Sequence, residues 1–173
     1  MLSFQKKQTT MKKFIFLLSA VLLLYACSEP LICGCVFPMQ TPEGNWKFVG
    51  YLLEDQVQLG DLKPRHSFEG TLNLERGQAL GNGTVTYPLN GRMAMNYLTG
   101  NYDFKTTNSQ QGSLTISNLG STKIGVTNEQ AAFELNFYQR LSKAQRYDLS
   151  YPNALQISVS EPTNEVMIFK KAN

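Results

Sequence analysis

The chain has 173 residues, with 16 Lys and Arg against 13 Asp and Glu, 11% aromatic residues, three cysteines and one histidine. That length suits a single domain. Low charge with many aromatics excludes a disordered chain and points to a well-filled core.

In chain order, the first feature is a targeting signal. Met11-Lys12-Lys13 is a short basic region, and Phe14 to Ala26 is a 13-residue apolar run. That run is too short to span a bilayer comfortably and suits a signal-peptide core. It ends at Leu24-Tyr25-Ala26-Cys27, which resembles a bacterial lipobox: an aliphatic residue, a spacer, a small residue, then the cysteine to be acylated. The resemblance implies cleavage before Cys27, a lipid on Cys27 and a membrane-tethered mature chain. An ordinary secretory signal is the alternative, and Ile32-Cys33-Gly34-Cys35 is a second lipobox-like site. Ser28-Glu29-Pro30 breaks the apolar run before that second site. Met1 to Thr10 has no role in this scheme, so Met11 is a second candidate start. Ser28 is not the aspartate that holds lipoproteins at the inner membrane, so the analogy favours the outer membrane.

Removing residues 1–26 leaves 147 residues. All four charged residues of the leader are lysines (Lys6, Lys7, Lys12, Lys13), so 16 basic and 13 acidic residues become 12 and 13, and the formal charge of +3 becomes −1. Nucleic-acid binding has no electrostatic footing in such a chain. Residues 27–43 read as the acylated N-terminus and a tether, unusual in its apolar Leu31 to Phe37. In an extended segment the Cα atoms of Cys33 and Cys35 lie about 6.6 Å apart, near the upper limit for a bridge. No second pair or histidine accompanies them to make a metal site.

From residue 44 onward, short strand candidates alternate with turn signals. Trp46 to Leu53 and Ser67 to Glu75 come first, then a turn at Gly81-Asn82-Gly83. Thr84 to Leu89 and Arg92 to Leu98 flank Asn90-Gly91, the strongest hairpin signal in the chain. Asn101 to Lys105 and Ser113 to Ser117 flank a polar loop. Arg146 to Tyr151, Ala154 to Ser160 and Glu165 to Lys170 close the series. This spacing predicts an antiparallel sandwich or barrel.

One helix interrupts the strands, over about 128–144. Thr127 and Gln130 have capping-box spacing. Glu129 in the first turn, with Arg140, Lys143 and Arg146 toward the end, suits the helix dipole. Phe133, Phe137, Leu141 and Ala144 fall on one stripe, which Ala131, Leu135 and Tyr138 are expected to widen. Glu134 sits inside that apolar arc, and neither Gln130 nor Tyr138 can neutralise it. A buried carboxylate needs a partner, so Glu134 is read as a buried, paired acid or as a group at the mouth of a ligand cavity.

From Trp46 to the end, the chain resembles the META domain of HslJ-like bacterial envelope lipoproteins. Gly44-Asn45-Trp46-Lys47 is similar to its opening G-x-W. Asn96 to Tyr102 matches N-x-x-x-G-x-Y through Asn96, Gly100 and Tyr102, and Ser121-Thr122-Lys123-Ile124 is similar to S-T-K/R-M. The family's two cysteine positions are Met95 and Val126 here, both apolar. The resemblance implies a mainly β domain over 44–173: a partly open antiparallel barrel of about eight strands crossed by one helix. It implies a non-enzymatic envelope lipoprotein, with no cofactor or metal, binding a protein, lipid or small hydrophobic molecule. A lipocalin-like barrel is the competing resemblance, since G-x-W opens lipocalins too, but three strand candidates follow this helix instead of one. A hydrolase would need His66, the only histidine, beside a nucleophile and an acid. No G-x-S-x-G, H-E-x-x-H or phosphate-binding glycine loop is present.

Overall fold

The computed structural model describes residues 39–53, 67–80, 85–160 and 165–172. The leader with Cys27, the pair Cys33 and Cys35, His66 and the Gly81-Asn82-Gly83 turn lie outside the described residues. The elements run β1 (Gly44–Leu53), β2 (Gly70–Leu74), β3 (Gln78–Ala79), β4 (Val85–Met93), β5 (Asn96–Thr106), β6 (Gln111–Ser121), α1 (Asn128–Leu141), β7 (Ala144–Asp148), β8 (Ala154–Val159) and β9 (Glu165–Lys171).

The strands form one antiparallel sheet in the order β2-β1-β9-β8-β7-β6-β5-β4, with the short β3 on β4. A further antiparallel pairing, Leu72 opposite Gly91 and Leu74 opposite Leu89, joins β2 to β4. The eight strands therefore close completely, beyond the partly open barrel implied by the resemblance. Alternation sends one phase of each strand inward. Trp46 and Phe48, Leu72 and Leu74, Leu155 and Ile157, and Met167 and Phe169 are buried in a shared core. Strand β9 is apolar on both faces: Val166 and Ile168 form a second buried cluster with Val49 and Ala154.

The expected hairpin at Asn90-Gly91 does not exist. Both residues lie inside β4, paired with Asn73 and Leu72 on β2 and with Thr99 and Leu98 on β5. Gly91 is needed there for space: a Cβ at this position would overlap the carbonyl oxygen of Thr71. Glycine thus marks a close strand approach, which its sequence context cannot distinguish from a turn. The chain reverses instead at Ala94-Met95, with Ala94 in the left-handed region at φ 47°. Strand β5 then runs unbroken through Gly100, opposite which β6 carries one extra residue, with Asn118 in the left-handed region at φ 52°.

Helix α1 starts as its sequence predicts. Thr127 Oγ1 accepts from the Gln130 amide at 3.3 Å, and Gln130 Oε1 accepts from the Thr127 amide at 3.0 Å. It ends at Leu141, with Ser142 as C-cap and the Lys143 amide donating to Arg140 O. Ala144 is buried as the first residue of β7, not as the end of a helical stripe. Phe137 and Leu141 are fully buried. Ala131 and Leu135 do not widen the apolar arc: Ala131 is exposed, and Leu135 is 57% exposed. Glu134 takes the inward place that Leu135 was expected to share.

Candidate functional site

At one end of the barrel, α1 lies across the opening. Phe137 meets Phe48 edge-on, with ring centroids 5.1 Å apart, and Phe169 at 6.1 Å. Glu134, only 8% exposed, joins this helix to the β4–β5 turn. Its Oε1 accepts from the amides of Met95 (3.0 Å) and Asn96 (2.9 Å), and its Oε2 accepts from Asn96 Nδ2 (2.7 Å). Asn96 Oδ1 in turn accepts from the Thr122 hydroxyl (2.9 Å) and the Ile124 amide (2.7 Å). Thr122 Oγ1 also accepts from the Tyr97 amide. The helix, the turn and the segment before the helix are thus tied through one carboxylate and one carboxamide. Those bonds use the acceptor capacity of Glu134 for structure, and neither cavity described below is lined by it.

The other residues of the family motifs separate from this knot. Trp46 is buried, and its indole Nε1 donates to Pro42 O at 2.9 Å. Tyr102 lies in the core and donates to Glu75 O at 2.7 Å. Gly100 faces the bulge in β6, and Lys123 is exposed. Asn96 and Thr122 are therefore the motif residues that meet, bonded to each other across 26 positions of sequence, while Glu134 holds Asn96.

Beside the helix, Arg140 and Glu165 form an ion pair, with Arg140 Nη2 donating to Glu165 Oε1 at 3.1 Å. The Arg140 guanidinium also stands over the Tyr51 ring, 4.5 Å from its centroid. The Glu165 hydrogen bond raises the Arg140 pKa. Burial pushes the Tyr51 phenol well above its ordinary value, with Arg140 pulling it partly back. The Tyr51 hydroxyl is buried without a hydrogen-bond partner.

The opposite end is crossed by residues 39–43, whose Gln40 amide donates to Ser109 O at 2.8 Å. Between this strap, Gln110, the Leu149 to Ala154 turn and Lys171 is a groove of 580 Å³. A second, smaller cleft of 440 Å³ lies on the outside of β1, β2, β4 and β5. It is lined by the outward phases of those strands: Asn45 and Lys47, Thr71 and Asn73, Asn90 and Arg92, and Tyr97. Sequence reasoning missed this face. Its signal was present as the polar phase of each alternating strand, but the order β1-β2-β4-β5 that unites them is a tertiary fact.

No family model and no curated protein matches the chain. Among solved structures, it is similar to an NMR structure of a protein from Burkholderia xenovorans, with a TM-score of 0.50 and 13% identity over 82% of this chain and 88% of that one. At this identity the likeness is one of fold: a mainly β barrel with a single helix.

Proposed function

We propose that this chain is a non-enzymatic, lipid-anchored envelope protein of the META/HslJ-like kind, which engages its partner on the outside of a packed barrel. The anchoring half rests on Leu24-Tyr25-Ala26-Cys27 at the end of the apolar leader, with outer-membrane placement by analogy. The binding half rests on one observation about the interior. Leu98, Leu114, Phe137, Leu155, Met167 and Phe169 have no accessible area. Such side chains touch no void able to hold even a water, so a hydrophobic ligand among them would have to displace core rings. A lipocalin-like reading shares the barrel but places its ligand there.

Two measurements test this. Cys27→Ala should abolish metabolic labelling by palmitate and leave the precursor uncleaved. Labelling that persists until Cys35 is also changed would move the anchor to the second lipobox. Titration with a fatty acid should leave the fluorescence of Trp46, the single tryptophan, unchanged. A saturable change accompanied by amide NMR shifts at Phe137 and Phe169 would favour an interior ligand, since Trp46 also lines both outer cavities.

A further inference from the structure

We propose that the outer cleft of β1, β2, β4 and β5 binds an anionic saccharide, a reading that rests on partner binding at the barrel's outer surface. Two cross-strand rows make up the cleft. In the first, Asn45 stands opposite Asn73, Asn73 opposite Asn90, and Asn90 opposite Thr99. In the second, two residues along each strand, Lys47 stands opposite Thr71, Thr71 opposite Arg92, and Arg92 opposite Tyr97. All six larger side chains (Asn45, Lys47, Asn73, Asn90, Arg92 and Tyr97) line the same cavity.

Strand spacing makes each row about 14 Å long across four strands, and the two rows about 7 Å apart. That is a two-dimensional array with divided chemistry. Each carboxamide offers a donor and an acceptor side by side, which suits neighbouring hydroxyls on a sugar ring. Tyr97 is 56% exposed and offers a flat aromatic face to a ring's apolar side. Lys47 and Arg92 supply charge for a carboxylate or phosphate substituent, Arg92 as a fork.

The acidic neighbours leave this array usable. Glu69 pairs with Lys47 at 3.4 Å, with both side chains well exposed, a solvated contact of the kind that contributes little. Glu75 accepts from Asn90 Nδ2, which orients that carboxamide and leaves its oxygen as an acceptor. Arg92 Nε donates to Ala94 O at 3.0 Å, fixing the guanidinium while its two Nη groups have no partner among the described residues. Two cations in a field of amides do not make a nucleic-acid surface, where phosphate contacts dominate.

The test uses the full chain purified in detergent, titrated with a galacturonic-acid tetramer, a neutral galactose tetramer and inorganic polyphosphate. The acidic tetramer should bind best. Arg92→Gln and Asn73→Ala should each weaken it by about tenfold or more, the fold-change expected for losing one hydrogen bond to a charged or fully engaged group. Lys105→Gln, on the far part of β5, should change nothing. Amide NMR shifts of the unmodified protein provide a second reading that needs no variant, and they should map to Asn45, Asn73, Asn90 and Tyr97. Polyphosphate binding as tight as the tetramer and indifferent to Asn73→Ala would overturn the proposal, leaving a mere charge patch. Shifts confined to the strap groove, or a protein captured by this face with no saccharide affinity, would also overturn it. Surface binding in general would fail differently, by fatty-acid shifts at Phe137 and Phe169.

Discussion

The two ends of this barrel are closed by different chemistry. At the helix end, rings and aliphatic side chains fill the opening, and a single carboxylate gathers the backbone amides that would otherwise be stranded. At the strap end, hydroxyl and indole donors make separate bonds: Tyr102 to Glu75 O, Trp46 to Pro42 O, and Tyr147 to Thr106 Oγ1 and Gln40 O. The first arrangement concentrates stability in a few positions, because removing one leaves a void or several unpaired groups. The second spreads it over bonds that are each worth about 1 kcal/mol. The helix end is therefore expected to behave as a keystone and the strap end as a row of separate ties.

The largest expected effect is at the helix end. Phe137→Ala should destabilise the fold by about 3–5 kcal/mol, the cost of a cavity among well-packed rings, read as a shift in the urea midpoint. Gln139→Ala, exposed on the same helix, should stay within about 0.5 kcal/mol. Equal, small effects at both positions would mean that α1 does not plug the barrel. Next comes Glu134→Ala, which strips acceptors from the Met95 and Asn96 amides and from Asn96 Nδ2. A buried donor without a partner costs about 1–3 kcal/mol, and water entering the vacated space offsets part of the sum, so about 2–4 kcal/mol is expected. A neutral outcome would dissolve the contrast between the ends.

Two tyrosines sharpen the comparison at smaller scale. Tyr102→Phe should cost about 1 kcal/mol, since its hydroxyl donates to Glu75 O. Tyr51→Phe should cost nothing or stabilise, because its hydroxyl has no partner. Burial raises both phenols above their ordinary value of 10.0. Above that pH the unfolded chain loses these protons while the folded chain keeps them. Their contribution is therefore fully present below about pH 10 and is lost as pH climbs beyond it. Alkaline melts should show a shallower loss in Tyr51→Phe than in wild type. An unchanged alkaline slope in both variants would show that neither phenol governs it.

These outcomes also mark what could be read from the residues beforehand. The capping box at Thr127 and Gln130 is local, so the start of α1 was legible to the residue. The alternation of β2 and β8 is local too, and both strands lie where they were expected. Asn90-Gly91 misled because the pressure for glycine came from Thr71, twenty positions away and on another strand. The real turn at Ala94-Met95 carries no turn composition, because a helix carboxylate holds it from outside. Leu135 misled for a related reason. Hydropathy ranks it above Glu134, but the inward place needed an acceptor for the Met95 and Asn96 amides. The motif residues Asn96 and Thr122 were singled out by resemblance, and their direct bond, anchored by Glu134 on the far side of Asn96, became visible only in the fold.

The seam between β1 and β9 sets the order in which this molecule can be made. Trp46 stands opposite Lys171, and the pairing continues to Leu53 opposite Glu165, so the first strand finds one of its neighbours only in the last. Chain closure over that separation is slow compared with helix or hairpin formation. During synthesis the growing chain holds an incomplete sheet with two free edges, which are prone to unwanted pairing. Deleting β9 should accordingly yield an aggregating product, not a smaller barrel, because β1 and β8 would both be left as open edges.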